Sequence, residues 1–536
     1  MRTMTVRASV LLGALTLAGT AFGQSTTPPL ATFVNNGANG ATSLQQATGL
    51  AVQNMCVHLA TREGATPTSG LAAPKQDAFL RCNELVQTAN QINTGGQVGG
   101  RSLNLSTTEL LGALQQVSGE EQSSQGALTT RVSSGQFANI SGRLNALRFG
   151  SQSAGGRGRT ASLSPPSSTP ASASAYQPDR IVDPNAFRND SLGGNLMNAS
   201  WSGALDDDSG SKPGASLMAA GDGGGGGIGG PENKWGWFSE GSYNFGDHDQ
   251  TTSEDGFDFD AISGTLGTDY NFGSGVIGVS AGYDRYKADF DTNSLVNGGD
   301  VEVKGASGSL FGAWFGSHVT VDGIASFGSL SSDITRRLII PSNNNGCVGA
   351  ACPTQDRAFT GSPDGRYVSA GVSTSYEFEA ASWNFAASVA GNYRDVKIDS
   401  YAENDSTNGG LALAYGEQKV ESFRSIVGFS ASRSFSRGFG IVMPTFRAEW
   451  HHEFKDDPRT VQAQYAIEPT LSNKVSACVS CFALQSDSPE SDFGILGAGL
   501  SFVFGRRVQA YVYYETLLGV SNYKSNSIAL GLRGQF

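Results

Sequence analysis

Positive charge is scarce in this chain. Against 48 acidic residues stand 36 Lys and Arg, a formal net charge of −12 over 536 residues. Phosphate binding needs clustered Lys and Arg, so no nucleic-acid partner is expected. The one brief basic stretch is "GGRGR" near Arg157. Long hydrophobic runs are missing as well: a spanning helix needs ~20 consecutive apolar residues, and the only sustained apolar run lies at the start. Histidine is rare, five in all, and only His58 falls outside the C-terminal region. The first 150 residues carry no G-x-S-x-G elbow or GDS-type nucleophile, and the chain carries no HExxH. No catalytic, cofactor-binding or metal residue is therefore assigned, and an enzyme is not expected.

The apolar run at the start reads "MRTMTVRASVLLGALTLAGTAFGQ". Arg2 and Arg7 form a basic region, Val10 to Leu17 an apolar core, and Ala21-Phe22-Gly23 a small-x-small cleavage site. Residues 1–23 read as a secretory signal peptide. No Cys follows the cleavage site, so a lipoprotein anchor is not expected. Export changes how the six cysteines read. They fall in three pairs, Cys56 and Cys82, Cys347 and Cys352, Cys478 and Cys481, and an even count in an exported chain favours disulfides. The last two pairs could in principle make a four-thiolate zinc site. Their place in long external loops favours two local bridges.

Residues 24–150 read as an α-helical region. "GLAVQNMCVHLA" and "AFLRCNELVQTANQI" carry apolar residues at helical spacing, one cysteine each, which suggests a stapled hairpin. Ser106 and Glu109 spell a capping box ahead of the stripe Leu110, Leu111, Leu114 and Val117. Residues 151–233 are dominated by Gly, Ser, Pro, Ala and Asp, including "SLSPPSSTPASASA" and "GDGGGGGIGG". Such a composition cannot bury enough apolar surface to order itself, so a disordered linker is expected.

Residues 234–536 read as strands. In "RVQAYVYYE" the even positions Val508, Ala510, Val512 and Tyr514 are apolar; in "LGAGLSFVF" so are Leu496, Ala498, Leu500, Phe502 and Phe504. Short links at 273–275, 316–318, 380–382, 436–440 and 505–507 alternate with long ones at 247–256, 291–299, 339–364, 400–413, 456–491 and about 518–524. Five short and six long connections join twelve strands. Short turns on one side and long loops on the other is the plan of an outer-membrane barrel. A β-sandwich shows no such alternation, and only a closed barrel satisfies its hydrogen bonds in lipid. Aromatics near strand ends, Trp235, Trp237, Tyr243, Phe245, Phe272, Tyr283, Trp314, Phe315, Trp383, Trp450, Phe502, Phe504 and Tyr514, suit the interfacial girdles. The expected fold is an all-β transmembrane barrel of twelve antiparallel strands behind a small α-helical region and a linker.

"MPTFRAEWHHEFKDD" and "GILGAGLSFVFGRRVQAYVYYETLLGVSNYKSNSIALGLRGQF" resemble the β-domain of type Va autotransporters. Pro444, Arg447, Trp450, His452, Glu453 and Phe454 carry the first match. The Gly-rich strand, the Tyr-Glu pair and the "GLR" before Phe536 carry the second. The resemblance spans Trp235 to Phe536. It implies insertion in the outer membrane of a Gram-negative bacterium by the barrel-assembly machinery, with help from periplasmic chaperones. It also implies a monomeric barrel that exports or displays its own N-terminal segment. A barrel whose helical module stays in the periplasm, and a surface hydrolase, are the alternatives. Parity places Arg447, Glu449, His451, Glu453, Glu515 and Arg533 toward the lumen, since charge on the lipid face costs ~2–4 kcal/mol at midplane. The opposite parity in the last strand, Ile528, Leu530, Leu532 and Phe536, faces lipid, and the family uses this stretch as its assembly signal.

Overall fold

In the computed structural model, residues 28–96, 100–126 and 234–534 are described, with helical residues Leu128, Gln136, Asn139 and Ile140; gaps fall at 293–297, 348, 350, 382, 469–477 and 505–507. The residues read above as a signal peptide (1–23) and a linker (151–233), and Phe536, lie outside the described residues.

Twelve strands form one closed antiparallel barrel: β1 (Trp235–His248), β2 (Phe257–Asn271), β3 (Gly275–Phe290), β4 (Gly299–Phe315), β5 (Val319–Ile340), β6 (Asp364–Ala380), β7 (Trp383–Ile398), β8 (Gln418–Ser432), β9 (Gly440–Glu453), β10 (Asp492–Phe504), β11 (Val508–Leu518) and β12 (Tyr523–Gly534). Consecutive strands pair, and β1 closes on β12 from Trp237 opposite Gly534 to His248 opposite Tyr523. Closure leaves no free edge to face lipid. One link differs in length from the reading above: the connection between β11 and β12 is only residues 519–522.

Strict alternation sorts the side chains. Leu266, Phe327, Leu530 and Leu532 are more than 60% exposed on the outer face, while Glu240, Ser263, Thr265, Ser326 and Ser369 point inward and are buried. Aromatic girdles form at both ends. Near the short turns Tyr376, Phe378, Phe385 and Phe429 stack in series across strands, with successive ring centroids 6.4, 5.4 and 5.8 Å apart. Toward the long loops Phe423 meets Phe454 at 5.2 Å. Phe315 departs from the girdle expected of it. It is buried while its neighbour Trp314 is half-exposed, because successive residues of a strand cannot face the same side. In β10 the inward position Gly497 is small for a reason: a Cβ there would lie 1.8 Å from Tyr513 Oη, whose ring crosses it from β11.

The N-terminal region folds into α1 (Pro29–Asn35), α2 (Ser43–Arg62), α3 (Ala73–Thr94) and α4 (Thr107–Ser118). The capping box of α4 is formed: Glu109 N donates to Ser106 Oγ (3.3 Å) and Ser106 N to Glu109 Oε2 (2.7 Å). Thr42 and Gln45 make a second box at α2. Disulfides join Cys56 to Cys82 across α2 and α3, Cys347 to Cys352, and Cys478 to Cys481. With every cysteine bridged, no thiolate remains for a metal.

The long loops carry structure of their own. β5 extends past the barrel and pairs with Gln355–Gly361. Tyr401–Ala402, Leu413–Tyr415, Thr460–Tyr465 and Phe482–Gln485 form a separate four-stranded sheet. Helices and loop strands share one apolar core, in which Leu30, Phe33, Phe79 and Leu114 belong to the same cluster as Leu338, Phe359, Leu413, Tyr415, Tyr465 and Leu484. The helical unit therefore sits on the long-loop end of the barrel.

Candidate translocation lumen and docked helical unit

In β9 the sequence Phe446-Arg447-Ala448-Glu449-Trp450-His451-His452-Glu453 sends apolar and charged residues to opposite faces. Phe446 and Trp450 are about half exposed outside, and Arg447, Glu449, His451 and Glu453 are buried inside. Arg447 bridges strands, with Nη1 2.8 Å from Glu515 Oε1 and Nη2 2.5 Å from Glu449 Oε2. His451 Nε2 lies 3.0 Å from Glu449 Oε2, and its ring stacks on Phe493. Glu453 accepts from Ser422 Oγ (2.6 Å), Arg424 Nε (2.8 Å) and Phe423 N (2.9 Å). Glu515 thus joins Arg447, Glu449 and His451 in one network. Arg533 stands opposite Phe238 and Gln509 in register, its side chain outside those described. His451 and Glu453 do not meet, since each is bonded to a different partner.

The lumen is occupied by the chain itself. Gln136 Nε2 donates to Gly264 O and to Asp284 Oδ2, both at 3.0 Å, and Gln136 Oε1 accepts from Thr265 Oγ1 at 2.7 Å. Asn139 Nδ2 donates to Thr265 Oγ1 at 2.5 Å. Residues 136, 139 and 140 are helical, a spacing that shares one helix face. Higher in the barrel, Leu128 is buried with Phe257, Tyr286, Val303 and Val420. The inner wall thus offers hydrogen bonds to the segment that carries Gln136 and Asn139, which follows the helical unit in the chain.

At the mouth, polar contacts fasten that unit to the loops. Arg357 forks onto Asp77 of α3 (Nη1–Oδ2 2.7 Å, Nη2–Oδ1 2.8 Å), and Gly410 N donates to Asp77 Oδ2 (2.9 Å). Burial alone would raise the Asp77 carboxyl, but the Arg357 guanidinium and the Gly410 amide outweigh it and hold it below its usual value. Arg101 Nη2 bonds Glu84 (2.6 Å) and Ala351 O (3.2 Å). Arg336, fully buried, bonds Gln116 O and Glu403. Gln418 donates to Gln125, and Tyr401 to Gln122.

Beside this seam lies a cluster of acids. Glu120 and Glu121 come from the helical unit; Glu254, Asp255 and Asp487 come from two loops. Burial, then repulsion from Asp255 and Glu121, pushes the Glu120 carboxyl up to about 10. Burial and neighbouring Glu254 push Asp255 up to about 7. His248, at the end of β1, directs Nε2 toward Asp487 Oδ2 (3.6 Å) and Glu254 Oε2 (4.0 Å). This grouping was invisible in the sequence. The apolar residues of the long loops, Leu413, Tyr415, Val461, Tyr465 and Leu484, were the signal that a partner covers them.

A closed barrel with a lipid-facing outer surface, and a polar lumen holding the chain that leads to a unit at its long-loop end, defines an outer-membrane self-exporting protein. Comparison with known families agrees: the autotransporter beta-domain family matches residues 237–515. The chain belongs to the autotransporter β-domain family, whose barrels lie in the outer membrane of Gram-negative bacteria and export their own N-terminal passenger. That barrel family is not itself catalytic. Solved structures similar to this chain include the translocator domain of autotransporter NalP from Neisseria meningitidis (13% identity, TM-score 0.42, 56% of this chain and 89% of that one). The transport unit of the autotransporter AIDA-I from Escherichia coli is another (11%, 0.38, 56% and 90%). The beta domain of the Bordetella autotransporter BrkA is a third (16%, 0.34, 56% and 100%). No curated protein matches the chain.

Proposed function

We propose that the exported region, residues 24–150, is not shed but stays docked on the loops of its own barrel as a surface-displayed cap. The observation that carries this reading is the common apolar core of the helices and loop strands, in which Phe33, Leu114, Phe359, Leu413 and Tyr465 are all buried. Separating the two would return that apolar surface to water at about 25 cal/mol per Å². Gln136 and Asn139, ahead of the linker expected at 151–233, bond the inner wall of the lumen, and the paired charges of Arg447, Glu449, His451, Glu453 and Glu515, together with Arg533, keep that wall polar. The lipid-facing residues Ile528, Leu530 and Leu532 of β12, with the sequence position Phe536, are the signal read by the assembly machinery, to which periplasmic chaperones deliver the unfolded chain, and the inserted barrel is a monomer. The cap acts as a binding or protective surface.

The test is immunodetection of residues 24–150 on intact cells, with the culture medium assayed in parallel. Antibody binding to unbroken cells, with the unit retained after a salt wash, is expected. Recovery of the unit in the medium would rule out a docked cap, and detection only after breaking the outer membrane would rule out export.

A further inference from the structure

Three potential ligand atoms converge at the barrel mouth. His248 Nε2, Glu254 Oε2 and Asp487 Oδ2 all lie within 4.8 Å of each other. Hydrogen bonds between such atoms run at about 2.7–3.2 Å, yet the imidazole stands 3.6 Å from one carboxylate and 4.0 Å from the other. Those gaps approach the edge of a coordination shell whose bonds are ~2.0–2.2 Å long. The remaining oxygens are already used as an outer shell would use them. Glu254 Oε1 accepts from Asp487 N (3.0 Å), and Asp487 Oδ1 accepts from Thr251 Oγ1 (3.0 Å). The imidazole is held flat against Phe257, ring centroids 5.0 Å apart.

A second observation points the same way. Glu120, 2% exposed, leaves Oε2 without a hydrogen-bond partner among the described residues, and Asp255, 3% exposed, leaves Oδ1 so. Glu120 belongs to the helical unit and is held over this loop by Ser123, whose Oγ donates to Ser253 O at 3.2 Å. A buried polar atom without a partner is costly and invites one. A cavity of about 340 Å³ adjoins the three ligands and leaves room for a fourth.

We propose that His248, Glu254 and Asp487 form a site for a divalent cation of the Zn²⁺ type, which ties the loop 249–256 to the loop 456–491 beneath the docked helical unit. A nitrogen donor with two carboxylates suits a borderline cation better than Ca²⁺, which takes oxygen ligands. Glu120 and Asp255 stand beside the site, and Glu120 makes the helical unit part of its surroundings.

The test is calorimetric titration of Zn²⁺, and separately Ca²⁺, into full-length protein in detergent. The protein is first stripped with a chelator and carries no histidine tag. One Zn²⁺ per chain is expected, with affinity falling at least about tenfold in His248→Gln and in Asp487→Asn. The β-sheet circular dichroism of both variants should match the parent, which separates lost ligation from failed folding. A variant that fails this check is replaced by Glu254→Gln. Zn²⁺ binding that is absent, or unchanged in folded variants, would overturn the proposal, as would binding of Ca²⁺ alone.

Discussion

Arg447 is the residue on which the lumen charges depend. It is the cation between Glu449 and Glu515, and all three are buried. Removing one partner of a buried charge set costs about 3–5 kcal/mol, because the others are left uncompensated. Arg447→Ala should therefore lower the urea midpoint of the purified barrel, and adding Glu449→Gln and Glu515→Gln should restore part of it. On the opposite parity, Leu530 is 61% exposed to the lipid. Leu530→Lys should cost up to ~4 kcal/mol at midplane, seen as reduced outer-membrane insertion, whereas a Lys at inward Ala529 meets the lumen. The inward placing of the β9 charges was legible in the sequence because a strand alternates with period two, so one apolar face fixes the other. The triad at His248 was not, since Glu254 and Asp487 are 233 residues apart and no local pattern joins them.

At the scale of elements, the helical unit has two kinds of fastening. Within it, the Cys56–Cys82 bridge closes a loop across α2 and α3. Replacing both by Ser should destabilise the unit by about 2–4 kcal/mol and leave the barrel's own unfolding unchanged, measurable by following helix and sheet signals separately. Between unit and loops, Arg357 and Asp77 form the forked pair. The Asp77 carboxyl is held below its usual 3.8, so the pair contributes fully above that value and is lost as pH falls through the lower folded-state value. Protease sensitivity of the cap should therefore rise below about pH 3.8, and Asp77→Asn should remove that acid dependence. The stapled hairpin and the Ser106 capping box were readable because caps and helical stripes are local. The loop sheet was not: its strands run two to six residues and pair across long separations, so each looked like part of a connection.

For the whole molecule, the strand count followed from the alternation of short and long links, a consequence of antiparallel closure rather than of any one residue. What the links could not reveal is that the long loops are half of another core. Their apolar residues are covered by the helices of the same chain, and Gln136 and Asn139 occupy the lumen between. Export and display are thereby joined in one structure, the passenger lying at the end of the pore it passes through. The most direct measurement uses a membrane-impermeant maleimide on intact cells carrying Val57→Cys, a site 46% exposed on α2, or Gly273→Cys in the short turn between β2 and β3. Labelling of the first on unbroken cells, and of the second only after permeabilisation, is the predicted result. Labelling of Val57→Cys only after permeabilisation would contradict it.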